Sequence, residues 1–194
     1  DGSVLSSCQI LVSSQRYPVS VENWYSGLLS LVPGNLISMN LLERAAARRE
    51  TSLADLDMAS QAELGQFFTP VAVARIMADL VRLPESGTFR VLDPGAGSGV
   101  LTAAVVDRLR RERPDLQVEL TAVEADRNLW PVLAETLSDC ETGARVVTAL
   151  VKEDFVNWAL RTDERFDLVI QNPPYHKIRS GSALDRNLRG AGIG

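Results

Sequence analysis

The chain has 194 residues, 45% of them hydrophobic and 23% charged, with a mean hydropathy of +0.00. That length can bury one sizeable core, so one domain is expected, with room for a helical extension. A net charge of −5 argues against a surface whose main task is to grip nucleic-acid phosphates, which would be basic. A pocket for a single base is still compatible with it. The two cysteines, Cys8 and Cys140, lie far apart with no CxxC partner or histidine neighbour. Neither a disulfide framework nor a zinc site is expected, and a reducing cytoplasm fits.

Residues 1–38 carry no sustained helical or strand period. Two readings stand for them: a translated upstream region with Met39 as the start, or a small N-terminal flap. No charge occurs between Glu22 and Glu43, but Pro33, Gly34 and Asn35 interrupt the stretch, so no membrane span is expected. Leu41 to Glu50 reads as an exposed helix, making 39–64 a helical lead-in. Thr69 is expected to cap the next helix with Pro70 at its first position, burying Val73, Ile76, Met77, Leu80 and Val81. Phe89 to Leu92 is a short buried strand running into a glycine-rich turn. A helix from Val100, with Leu101, Ala104, Val105 and Leu109 inward, stops before Pro114. Gln117 to Glu124 is the next strand, then a helix over Leu129 to Leu137 and a strand over Arg145 to Val151. A short helix around Val156 to Leu160 and a strand over Phe166 to Ile170 follow. This alternation predicts a parallel sheet with helices on both faces. After Ile178 no apolar period is visible.

Four constellations carry chemistry. In Asp93-Pro94-Gly95-Ala96-Gly97-Ser98-Gly99, Gly95, Gly97 and Gly99 let the backbone approach a ligand at the carboxyl edge of the sheet. The turn lacks the Lys-Ser/Thr of a phosphate loop, and Asp93 suits a cationic amino-acid ligand better than a pyrophosphate. A tight turn capping a helix is the simpler alternative. Glu124, at the end of the next strand, is placed to accept hydrogen bonds from ribose hydroxyls. A solvated strand-end carboxylate or a helix cap is the alternative, for which Asp126 is an equally good candidate, but the glycine turn upstream favours the ribose role. Asp154 and Phe155, after the third strand, are candidates to meet an adenine ring, with a helix N-cap as the alternative for Asp154. The fourth set is Asn172-Pro173-Pro174-Tyr175, closing a hydrophobic strand. The Asn172 side-chain oxygen and the Pro173 carbonyl can both accept from a conjugated amine, drawing its nitrogen toward tetrahedral geometry as positive charge develops. The prolines stiffen the backbone, and Tyr175 offers a face on which a flipped base can stack. A strand-ending Asn-Pro-Pro turn without chemistry is the bland reading. His176, Lys177 and Arg179 read as surface neighbours, the last two suited equally to phosphate contact and to plain solvation.

Asp93 to Gly99 and Asn172 to Tyr175 resemble the cofactor and catalytic motifs of class I amino-methyltransferases. Gly65-Gln66-Phe67-Phe68-Thr69-Pro70 narrows the resemblance to the DNA adenine methyltransferases of restriction–modification systems, in the order of the so-called gamma class. The similarity runs from about Gly65 to Ile178. It implies a Rossmann-like α/β sheet that binds S-adenosyl-L-methionine, with Phe68 and Thr69 lining the methionine end. It also implies methyl transfer to the N6 amine of a flipped adenine in DNA, with no metal and no membrane. The family's later strands and target-recognition domain do not follow, so residues 65–194 are expected to form an incomplete catalytic domain. A recognition domain or subunit, and any nuclease, would lie outside this chain. Enzymes that methylate release-factor glutamine or ribosomal RNA share the tetrapeptide and are the rival class. A fragment that binds cofactor without activity is another.

Overall fold

The computed structural model describes residues 8–12, 15–19, 39–54, 69–143, 145–173, 180–190 and 192. Within the first 38 residues it places an antiparallel pair, β1 (Cys8–Val12) and β2 (Gln15–Val19), where the sequence offered no strand period.

The helical lead-in is α1 (Leu41–Ala54). Its start is a reciprocal cap: Asn40 Oδ1 accepts from the Glu43 N–H at 2.9 Å, and Glu43 Oε2 accepts from the Asn40 N–H at 3.0 Å. The expectation of an exposed helix is corrected here. Leu41, Leu42 and Ala45 are buried in the common core, and α1 packs on two later helices, α3 (Val100–Glu112) and α4 (Trp130–Glu141). The polar side that gave the exposed reading is spent on α4. Arg44 and Arg48 both reach Asp139, at 3.0 and 2.7 Å, and Arg48 also reaches Glu135 at 3.1 Å. Burial alone would raise the Asp139 carboxyl, but hydrogen bonds from Arg48 and Arg44 outweigh it and hold its pKa below the ordinary range.

The helix after Thr69 is α2 (Val71–Asp79), and two expectations about it are corrected. Pro70 is the N-cap, its carbonyl taking the Ala74 N–H at 2.9 Å, and no side chain caps the helix. Its buried face is Ala74, Met77 and Ala78, continued by Val81, whereas Ile76 and Leu80 are exposed. The face that meets α3 is centred on Met77, flanked by the two alanines, and Ile76 and Leu80 fall outside it.

Four parallel strands make the sheet: β3 (Thr88–Pro94), β4 (Gln117–Val123), β5 (Val146–Val151) and β6 (Leu168–Val169), in the order β5-β4-β3-β6. Val91, Leu120 and Val118 fill one face beneath α1 to α4. The β5-to-β6 crossover carries α5 (Phe155–Ala159) over the other face. There Trp158 approaches Phe166, which with Glu164 and Arg165 lines a cavity shared with Arg90, Glu119 and Thr121. One face is thus packed under four helices, and the other carries the short helix α5, which buries no residue. The last strand is shorter than the sequence suggests, although Asp167 and Ile170 still donate to the Arg90 and Leu92 carbonyls of β3 at 2.9 Å.

Arginines of α3, and Arg113 just beyond it, tie the layer together through backbone carbonyls. Arg108 donates to the Ala78 carbonyl in the last turn of α2 and to the Val81 carbonyl just beyond it, and Arg110 to those of Asp139, Cys140 and Thr142 at the end of α4. Helix ends leave such carbonyls without internal partners. Arg113 donates to the Pro84 and Glu85 carbonyls of the loop between α2 and β3. The tail reading is also corrected, because residues 183–190 form α6. Its start has a signal in the sequence, Ser182-x-x-Asp185: Ser182 Oγ accepts from the Asp185 N–H at 3.1 Å, and Asp185 accepts from the Gly181 N–H at 2.8 Å.

Candidate functional site

The strand order sets the site. From β3 the chain moves outward through β4 and β5, then returns across the sheet to place β6 on the opposite side of β3. At such a reversal the loops leaving neighbouring strands diverge, opening a crevice beyond their carboxyl ends. Here the two loops are Gly95 to Gly99 after β3 and Gln171 to Pro173 after β6. Leu92 pairs with Val169, so the glycine turn and Asn172 leave the same edge of the sheet from adjacent strands.

The glycine turn is held from below and from the side. Gly95 and Ala96 donate to the Val123 carbonyl of β4 at 2.8 and 2.9 Å. Gly99 sits in the left-handed region at φ +83°, the N-cap of α3. A Cβ there would lie 2.9 Å from Thr136 Cγ2 and 3.0 Å from Leu133 Cδ1. Thr136 in turn donates to the Ser98 carbonyl at 2.9 Å. Helix α4 is thus a floor that only glycine allows so close.

Asp93 is fully buried at the end of β3. Thr102 Oγ1 of α3 donates to its Oδ2 at 2.7 Å. Its Oδ1 is buried with no hydrogen-bond partner among the described residues, as is Ser98 Oγ. Burial pushes the Asp93 pKa up from 3.8 to about 7 against the lowering effect of the Thr102 hydrogen bonds, and neighbouring Glu124 adds to the rise.

Glu124 is not a solvated strand end. It is 7% exposed, and it grips two backbone amides: Oε2 accepts from Gly97 N–H and Oε1 from Asp126 N–H, both at 2.7 Å. Burial raises its pKa, and those backbone bonds oppose the rise. Asp126 instead turns its own loop, accepting from the Asn128 N–H at 2.9 Å. Trp130 closes this side, donating from Nε1 to the Glu124 carbonyl at 3.0 Å, with Lys152 and Arg127 over its ring.

Asp154 adopts the cap geometry, its Oδ1 accepting from the Asn157 N–H at 2.9 Å at the start of α5. Phe155 follows it, half-buried and tilted against Trp158. Asn172 is half-buried and Pro173 exposed beyond β6. Thr69 is buried, and its carbonyl accepts from Arg49 Nη1 at 2.8 Å. Phe68, Pro174 and Tyr175 lie outside the described residues. Asp93, the three glycines, Glu124, Asp154, Phe155, Asn172 and Pro173 therefore share one edge of the sheet. Thr102, Ser98, Thr136, Trp130 and Arg49 escaped the sequence reading, because their partners are 9 to 38 residues away along the chain or on the backbone. Among the described residues no cluster of His, Cys, Asp or Glu is placed to hold a metal ion, and no helix is long and apolar enough to cross a membrane.

Known methyltransferases are similar to this chain. A type II methyltransferase of Bacillus subtilis, M.BsuBI, is 37% identical over 145 residues, 69% of this chain and 29% of that protein. M.PstI of Providencia stuartii is 28% identical over 168 residues, 81% of this chain and 32% of that protein. A tRNA1(Val) (adenine(37)-N6)-methyltransferase of Citrobacter koseri is 34% identical over 94 residues, 48% of this chain and 36% of that protein. The chain thus spans about a third of the length of the curated relatives it matches. A Listeria monocytogenes structure described as a class I S-adenosylmethionine-dependent methyltransferase superposes with a TM-score of 0.56 at 20% identity, over 81% of this chain and 45% of that one. It has the same fold. The N-6 DNA methylase family model matches residues 49–189, which take in α1 from Arg49, the whole parallel sheet and α5, so the chain belongs to the N-6 DNA methylase family.

Proposed function

We propose that this chain is the cofactor-binding and catalytic portion of an adenine-specific DNA methyltransferase of a restriction–modification system. It would transfer a methyl group from S-adenosyl-L-methionine to the exocyclic N6 amine of adenine. The observation that carries the reading is that the glycine turn, clamped by Glu124, and the Asn172-Pro173 loop leave adjacent strands at the same edge of the sheet, where the strand order reverses. Family membership and the two type II relatives support it.

The residues present suit that cofactor. Buried polar atoms ordinarily have partners, and the turn keeps two without one among the described residues, Asp93 Oδ1 and Ser98 Oγ. In this reading Asp93, Phe68 and Thr69 hold the cationic methionine end, and Gly95, Gly97 and Gly99 admit it close to the backbone. Glu124 receives the ribose hydroxyls on the second lone pairs of oxygens already bonded to Gly97 and Asp126. Asp154, through its backbone and flanking loop, and Phe155 border the adenine end. When bound, the cofactor supplies an electrophilic methyl group on a sulfonium. Asn172 and Pro173 accept hydrogen bonds from the target amine and gain strength as it becomes cationic. Pro174 fixes the loop, and Tyr175 stacks the flipped base. Positioning and electrostatics carry the rate. A recognition domain or subunit and a nuclease would be supplied outside these residues, and the protein would work in the cytoplasm.

Calorimetric titration with S-adenosylhomocysteine, then nucleoside mass analysis after incubation with adenine-containing duplex and S-adenosylmethionine, tests this. Binding together with N6-methyladenine in DNA is expected. No binding overturns the cofactor assignment. The tRNA relatives motivate one parallel arm, in which methyl groups on adenine in RNA and never in DNA would move the substrate to RNA. Methylated protein glutamine would leave the transferase class and replace the substrate.

A further inference from the structure

Arg49 lies in the C-terminal half of α1, with only 15% of its side chain exposed. Its Nη1 reaches 20 residues along the chain to the Thr69 carbonyl at 2.8 Å, while its Nε is buried with no partner among the described residues. Burying a guanidinium is costly unless its geometry is held and its bonds are made. The helix that carries it is immobilised independently. The Asn40/Glu43 cap fixes its start, Leu41, Leu42 and Ala45 lie in the core, and Arg44 and Arg48 bind Asp139 and Glu135 on α4.

The receiving end is equally constrained. Thr69 is buried, and the residue before a proline is confined to extended backbone. Pro70 itself starts α2, with φ −59°. With Thr69 held extended, the direction of its carbonyl and the direction of its side chain are set together. The donor that fixes one therefore fixes the other.

We infer that Arg49 is a positioning residue for the cofactor site, acting through the Thr69 carbonyl to aim Thr69 at the bound ligand. This rests on the cofactor reading above. Among the described residues, the hydrogen bond that links α1 to the entry of α2 is this one.

The test is calorimetric titration with S-adenosylhomocysteine, with thermal unfolding measured on the same proteins. Arg49→Met removes the donor but keeps apolar bulk, and should weaken binding about tenfold, the scale of one charge-assisted hydrogen bond. Arg49→Lys keeps a cationic donor and should stay within about threefold of the parent. Arg44→Met breaks an ion pair of the same helix without touching Thr69. It should lower the melting temperature yet leave affinity within about twofold, because a partly exposed pair contributes to stability alone. Should Arg49→Met fail to fold, Arg49→Gln, polar but too short to span to Thr69, carries the same expectation. Parent-like affinity in Arg49→Met or its substitute overturns the inference. So does an equal loss in Arg44→Met, which would make docking of α1 as a whole the cause. A parent chain that binds no cofactor refutes the underlying reading instead, so the two failures are distinguishable.

Discussion

Replacing Asp93 by Asn separates what this carboxyl costs the free protein from what it gives the bound one. Its pKa rises from 3.8 to about 7 on folding, and at about 1.4 kcal/mol per unit an ionised Asp93 disfavours the fold by about 4 kcal/mol. The folded pKa lies above the unfolded one, so between about pH 4 and pH 7 the folded state holds the extra proton. The stabilisation is full below the lower value and is lost as pH rises through the upper one. Asn carries no charge, so the variant loses this slope. It can still accept from Thr102, but its amide nitrogen meets the partnerless Oδ1 position, at a cost of about 1–3 kcal/mol. At pH 8 the ligand-free variant should therefore be more stable than the parent by about 1–3 kcal/mol, and at pH 4.5 less stable. Denaturant unfolding at half-unit steps from pH 4.5 to 8.5 measures this, and calorimetry should show that the stabilised variant binds S-adenosylhomocysteine more weakly. Parallel stability profiles for the two proteins would refute the account of Asp93.

Gly99→Ala should destabilise by about 2–5 kcal/mol, combining left-handed strain with overpacking against Thr136 and Leu133. Gly95→Ala, at φ +76° with nothing within 4 Å of the added carbon, should cost only the strain, about 1–2 kcal/mol. Equal losses in thermal unfolding would remove the claim that α4 is the floor of the turn. In a protein containing this segment and competent for transfer, Asn172→Ala should slow single-turnover methylation by about 10²–10³ while cofactor affinity stays within about twofold. A parent-like rate would end the catalytic assignment of Asn172.

The sequence by itself determined what depends on near neighbours and on period. The run Asp93 to Gly99 can only turn sharply, and β3, α3, β4, α4 and β5 follow from alternation and 3.6-residue repeats to within a few residues. The placing of Asp93, Glu124, Asp154 and Asn172 at strand ends then brings them to one edge, because a parallel sheet aligns its carboxyl ends. Tertiary packing decided the rest. Leu41, Leu42 and Ala45 look like one side of a charged, exposed helix until Asp139 and Glu135 arrive from α4 to take its arginines. On α2 the buried face is Ala74, Met77 and Ala78, not Ile76 and Leu80, because the side of the helix that meets α3 is set by how the two helices dock and not by the helix's own sequence. Whether Glu124 is solvated or clamped depends on the Gly97 amide from a distant turn, and whether Asp93 is charged or protonated depends chiefly on its burial. A single strand's sequence contains neither the partner nor the burial that sets a pKa; those exist only once α3 and α4 have closed over the turn.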